Sequence, residues 1–92
     1  MSVQPAVRFR LYVAGESTNS HHATRNLQAL CAQYLREEHA IEIVDVTVEP
    51  LRALEDRILV TPTLVRLEPE PVVRIIGNLT DTPRVLSALG LG

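Results

Sequence analysis

The sequence predicts a single α/β domain with the element order β-α-β-α-β-β-α. Three observations carry this. Val7, Phe9, Leu11 and Val13 alternate with Arg8, Arg10 and Tyr12, the period-two signature of a strand with one deeply buried face. Directly after it, Ala23, Leu27, Leu30, Cys31, Tyr34 and Leu35 recur at helical spacing. Two short β-branched runs, Thr63 to Leu67 and Val72 to Ile76, then flank a four-residue connection of prolines and glutamates.

The elements follow in order. After the first strand, Gly15-Glu16-Ser17-Thr18-Asn19-Ser20 supplies a flexible turn and several N-cap candidates, and a helix is expected over roughly residues 20 to 37. Ile41 to Val48 carries apolar side chains on both faces, the pattern of an interior strand, and completes a β-α-β unit. Pro50 suits a first helical position and Leu51, Leu54 and Ile58 share a helical face, yet Ile58-Leu59-Val60-Thr61 has strand composition. The stretch from Leu51 to Thr61 is compatible with either. Glu68-Pro69-Glu70-Pro71 fits an exposed hairpin loop that pairs the two late strands antiparallel. Thr80, Asp81 and Thr82 are cap residues, Pro83 fits a first turn, and Val85, Leu86 and Leu89 form the stripe of a C-terminal helix.

Composition narrows function. The 92 residues are 46% hydrophobic and 22% charged, which suits one folded domain over residues 1–92, with residues 1–5 a flexible start. Nine basic against eleven acidic residues give a net charge of −2, so no positive field is available to hold nucleic acid. No apolar run approaches the ~20 residues of a membrane span, and the first residues lack a signal peptide's pattern, so a cytoplasmic protein is expected. All the basic residues are arginine, the side chain suited to bidentate pairing.

Thr61-Pro62-Thr63 at the start of the third strand, with this element order, resembles the thioredoxin-like fold, which implies a cis peptide bond before Pro62. Dithiol exchange would need Cys-x-x-Cys at the start of the first helix, where this chain has Ser17-Thr18-Asn19-Ser20. The single cysteine, Cys31, falls on the apolar stripe, as expected of a buried, inert thiol. A glutathione-dependent enzyme therefore ranks last. His21 and His22 are adjacent and point about 100° apart on a helix, which disfavours a metal pair. Ser17 and Ser20 read as helix caps, and the carboxylate pairs Glu37/Glu38, Glu55/Asp56 and Glu68/Glu70 as solvated ends and loops. No catalytic residue, metal or cofactor is expected. Arg57, Arg66 and Arg74, which punctuate apolar segments, are either one basic face or isolated solvated arginines.

Four blocks make the resemblance specific: Leu11-Tyr12-Val13-Ala14-Gly15, Ile43-Val44-Asp45-Val46, Asp56-Arg57-Ile58-Leu59-Val60-Thr61-Pro62-Thr63-Leu64 and Arg74-Ile75-Ile76-Gly77-Asn78-Leu79. In order and spacing they resemble the KaiB family. That resemblance implies a non-enzymatic regulator that binds the N-terminal ATPase ring of KaiC and, in cyanobacterial clocks, sequesters KaiA and displaces a thioredoxin-like sensor kinase. It further implies Arg57, Arg66 and Arg74 as partner-binding positions. It also implies two folds: a monomeric thioredoxin-like state and a ground state, commonly tetrameric, whose C-terminal half is rearranged.

Glu16-Ser17-Thr18 departs from the family's Asn-Thr-Pro, His22 from its arginine, and the acidic C-terminal extension is lacking. These departures count against KaiA binding and fit a KaiB-like protein of a simpler timing or stress-response system. A thioredoxin-like adaptor for a sensor histidine kinase is the alternative reading. Ala88 stands where the family has glycine, and alanine favours helix by about 0.8–1.0 kcal/mol, while Gly90 stands where that helix would end. With Pro62, these residues favour the thioredoxin-like state as the dominant form.

Overall fold

The computed structural model describes residues 5–35 and 38–91. Strand β1 (Val7–Val13) is followed by helix α1 (Thr18–Tyr34), strand β2 (His39–Asp45), helix α2 (Pro50–Glu55), strands β3 (Thr63–Glu68) and β4 (Val73–Ile76), and helix α3 (Thr82–Ala88). The four strands form one sheet in the order β2-β1-β3-β4, with β1 parallel to β2 and antiparallel to β3, and β3 antiparallel to β4. The expected order, the antiparallel hairpin and the thioredoxin-like arrangement are all present, and the Thr61–Pro62 peptide is cis. The expectation of a flexible start falls mainly on residues 1–4, outside the described residues.

The two faces of the sheet are built differently. Odd positions of β1 face α1 and α3, where Phe9, Leu11, Leu27, Leu64, Val85 and Leu89 pack into one core. Leu11, Leu27 and Leu64 have no exposed surface, and each contributes roughly 1.5–3 kcal/mol by leaving water. Cys31 sits in this core, as its place on the helical stripe requires. The opposite face is thinner: Tyr12, Val44, Ala53 and Val65 form a small cluster under α2, with Val46, Ile58 and Leu67 at its edge.

Helix α1 starts at Thr18 rather than near residue 20 because Ser17 is the cap, its Oγ accepting the Ser20 N–H at 3.2 Å. It ends at Tyr34, with the Leu35 N–H bonded to the Cys31 carbonyl; residues 36 and 37, where the helix was expected to end, lie outside the described residues. Strand β2 stops at Asp45 instead of Val48. The Asp45 carboxylate accepts from the Thr47 N–H at 2.9 Å, the Thr47 hydroxyl at 2.6 Å and the Gly15 N–H at 3.0 Å, which turns the chain and joins it to the β1–α1 loop. These donors hold the Asp45 carboxyl below its usual range, the Thr47 hydroxyl foremost. Nor is β2 an interior strand: it lies at the sheet edge, and Ile43 is exposed. The ambiguous stretch resolves into the short helix α2 and a loop, so Ile58 to Thr61 is not a strand.

Candidate functional site

Helices α2 and α3 are short, six and seven residues, so each depends on how its ends are satisfied. Helix α3 is capped by the Asp81 carboxylate, which accepts the Arg84 N–H. It closes with the Gly90 N–H on the Ser87 carbonyl and the Leu91 N–H on the Leu86 carbonyl, Gly90 being left-handed at φ +72°. This is a Schellman motif with glycine in its customary place. Ala88 is the last helical residue, and Gly90 ends the helix as its position in the sequence predicts.

Helix α2 closes in the same way with a different residue. The Arg57 N–H bonds to the Leu54 carbonyl at 3.1 Å and the Ile58 N–H to the Ala53 carbonyl at 2.9 Å, with Ile58 against the small core cluster. The residue in the glycine position is Arg57, at φ +55°. A left-handed side-chain-bearing residue costs about 1–2 kcal/mol and persists only where its surroundings over-determine it.

Those surroundings are a polar network on the thin face. The Tyr12 hydroxyl, on a residue only 1% exposed, donates to the carboxylate of Asp56, the cap residue just before Arg57. Arg10 reaches the same carboxylate at 3.4 Å and donates to Glu42 at 2.8 Å, and Arg52 of α2 also meets Glu42 at 2.8 Å. The Arg52 and Arg10 guanidiniums pull the Glu42 carboxyl down to about 2. Burial, then the Asp56 carboxylate, push the Tyr12 phenol above its usual range, which keeps it a donor. The network ties the last turn of α2 to β1 and β2.

Around this helix the surface is apolar. Pro50, Leu54, Ile58, Leu59 and Val60 line an open groove of about 330 Å³, with Leu54 75% and Leu59 93% exposed. Arg57 and Arg74 are both exposed, and Arg74 Nη1 lies 3.5 Å from the Arg57 carbonyl, so these two arginines share one corner beside the groove.

Arg66 is placed elsewhere. In the β3–β4 register Val65 faces Arg74 and Arg66 faces Val73, so Arg66 and Arg74 point to opposite faces of the sheet. The Arg66 guanidinium donates to the Leu89 carbonyl at 2.8 Å and to the Pro71 carbonyl at 3.0 Å, bracing the hairpin loop against the end of α3. Of the three arginines, read from the sequence as either one basic face or isolated residues, Arg57 and Arg74 lie together at the groove and Arg66 lies on the opposite face of the sheet.

The remaining candidates are held in local roles. Ser17 donates to Ser20, whose Oγ in turn accepts the Ala14 N–H, so these hydroxyls serve the β1–α1 junction. His21 pairs with Glu16 at 2.9 Å, and among the described residues no three His, Cys, Asp or Glu side chains gather as a metal site. Burial pushes the Cys31 thiol up to about 11, far from a reactive thiolate. Sequence reasoning missed Tyr12, Arg10, Glu42, Arg52 and Leu59; the polar even positions of β1 were the available signal.

Comparison with known proteins adds relatives to this geometry. Residues 10–91 match the KaiB domain family. The chain is 42% identical to circadian clock protein KaiB3 of Synechocystis sp. over 89% of its own length and 80% of the relative's. It is 43% identical to circadian clock oscillator protein KaiB of Prochlorococcus marinus over 99% of this chain and 76% of that one. Among solved structures, the N-terminal domain of Synechococcus elongatus SasA superposes with a TM-score of 0.77 at 20% identity, covering 100% of this chain and 90% of that one. Mitochondrial thioredoxin 3 from Saccharomyces cerevisiae superposes at 0.70 with 21% identity, covering 96% of this chain and 78% of that one. At such identities the structural likenesses establish the fold alone.

Proposed function

The chain belongs to the KaiB family, and from that premise we propose that it is a cytoplasmic, non-enzymatic clock regulator that works by binding a KaiC-type ATPase ring through the α2 face. The observation that carries this reading is the exposed apolar groove at Leu54 and Leu59 with Arg57 and Arg74 at one corner. An apolar centre with a charged rim is the usual anatomy of a protein interface. The matching partner surface is an apolar patch bordered by carboxylates, which guanidinium groups bind bidentately. Arg57 and Arg74 are the partner-binding arginines in this reading. Arg66 acts through the fold, by bracing the hairpin and α3. The fold likeness to the SasA domain gives no separate support to a kinase partner.

The test is capture of the KaiC homologue from the same genome, with ATP present, by the wild-type chain and by Arg57→Glu, Arg74→Glu and Leu59→Glu variants. Each substitution is expected to weaken the complex at least tenfold with unchanged circular dichroism, because exposed side chains dominate docking while contributing little to folding. Rising salt is expected to weaken the wild-type complex, since exposed pairs are screened over ~8–10 Å. Failure to bind in every nucleotide state, or affinity indifferent to all three substitutions, overturns the reading.

A further inference from the structure

Arg57 occupies a backbone conformation that favours glycine, at the end of a helix too short to hold it unaided. Something outside the helix must hold that turn: Arg74 Nη1 lies 3.5 Å from the Arg57 carbonyl, and the sheet grips the neighbouring Asp56. Asp56, the cap residue of α2, is bonded through its carboxylate to the Tyr12 hydroxyl and to Arg10, both on the central strand β1. The Asp56 N–H meanwhile closes on the Arg52 carbonyl at 3.1 Å, and Arg52 is itself paired with Glu42 on β2. The turn is thus gripped from the rigid side of the sheet at the residue immediately before Arg57.

We propose that Tyr12 and Asp56 are positioning residues for partner binding: their hydrogen bond fixes the α2 turn and so presents Arg57, left-handed, beside Arg74. The proposal rests on the Arg57 and Arg74 reading above, and goes beyond it by assigning a role to two side chains that do not form the exposed corner. Tyr12 is buried and cannot touch a docked partner without rearrangement. Its effect on binding must therefore pass through the turn. Preorganisation of this kind raises affinity by removing the ordering cost of the docking side chain.

The test uses Tyr12→Phe, which keeps the ring in the core and removes only the hydroxyl, with Val65→Ala from the same small cluster as a control for general loosening. Amide hydrogen exchange is read at Arg57 and Ile58, whose N–H groups close α2, and at Phe9 and Leu11 within β1. Tyr12→Phe is expected to speed exchange at Arg57 and Ile58 at least tenfold more than at the strand amides, a selectivity Val65→Ala does not reproduce.

Binding to the KaiC homologue is read in a double-mutant cycle. Tyr12→Phe alone is expected to weaken the complex about fivefold to tenfold, and to add nothing in an Arg57→Ala background. Unchanged exchange at Arg57 and Ile58 overturns the positioning role, as do losses that multiply in full across the cycle. If the wild-type chain does not bind the homologue, the proposed function fails, and the exchange pattern alone decides whether Tyr12 and Asp56 fix Arg57.

Discussion

Two faces of one sheet carry two solutions to covering it. On one, the seventeen-residue α1 and the shorter α3 bury the odd positions of β1 in a continuous apolar core, and α3 ends on a relaxed Gly90. On the other, the six-residue α2 covers only part of the sheet, is tied down by charged and phenolic groups, leaves its leucines in water and ends on a strained Arg57. The first face follows the local rules of stability apart from Leu79, left-handed at φ +65°, and the Arg66 Nε, which is buried without a hydrogen-bond partner. The second departs from several at once, with exposed leucines, a left-handed arginine and a polar network under a short helix. The burial is divided accordingly: α1 and α3 cover the large core, and α2 leaves Leu51 and Leu54 exposed.

The largest contrast comes from trimming one leucine on each face. Leu27→Ala, in the buried core, is expected to cost about 3 kcal/mol because it leaves a cavity among side chains that cannot collapse into it. Leu54→Ala, on α2 and 75% exposed, is expected to change stability by no more than about 0.5 kcal/mol. Urea unfolding followed by circular dichroism measures both. Comparable losses at the two sites would show that α2 is as integral to the core as α1 and would break the comparison.

The two matched helix ends sharpen it. Adding a side chain at Gly90 meets no atom within 4 Å, so Gly90→Ala tests the left-handed backbone alone and is expected to destabilise by about 1 kcal/mol. Arg57→Gly makes the opposite change in the same motif. Relief of the left-handed strain exceeds the added unfolded-state entropy, so a gain of about 0.5 kcal/mol is expected. Thermal unfolding should place the two variants on opposite sides of the wild type, by several degrees for Gly90→Ala and by less for Arg57→Gly. A destabilised Arg57→Gly would mean that the Arg57 side chain supports the fold rather than a partner.

How much of this was legible beforehand differs between the same two faces. The thick face was readable because period two in β1 and the stripe through Leu27 and Leu30 report burial directly, and Ser17, Pro83 and Gly90 are ordinary cap signals. The edge position of β2 was not, since apolar residues on both faces of a strand look alike whether the strand is central or waits at an edge. Arg66 and Arg74 were separated by register, which depends on how the hairpin loop closes; a slip of one residue would have moved either to the other face. Arg57 was visible as a basic residue but its conformation was hidden, because the Schellman signal is a glycine. The Tyr12–Asp56 bond spans 44 residues of chain, and no local pattern encodes such a pair.

The smallest expected effect is a pH dependence confined to the thin face. Arg52 and Arg10 hold Glu42 at about 2, below the usual glutamate value of 4.5. A carboxyl depressed by folding adds stability above its unfolded value, and that contribution is lost as pH falls through the folded one. Wild type and Glu42→Gln should therefore differ by a constant amount above about pH 5 and converge between pH 4.5 and 2. The side chain is 46% exposed, so the difference should be small and should shrink further in high salt. Unfolding curves across that range check the sign. The same acidification leaves the apolar core on the α1 face untouched, so Leu27→Ala should run parallel to the wild type over the whole window. A Glu42→Gln curve that instead stays parallel to the wild type down to pH 2 would mean that the Glu42 charge contributes nothing to holding α2, leaving the helix anchored by contacts independent of that charge, Tyr12 to Asp56 among them.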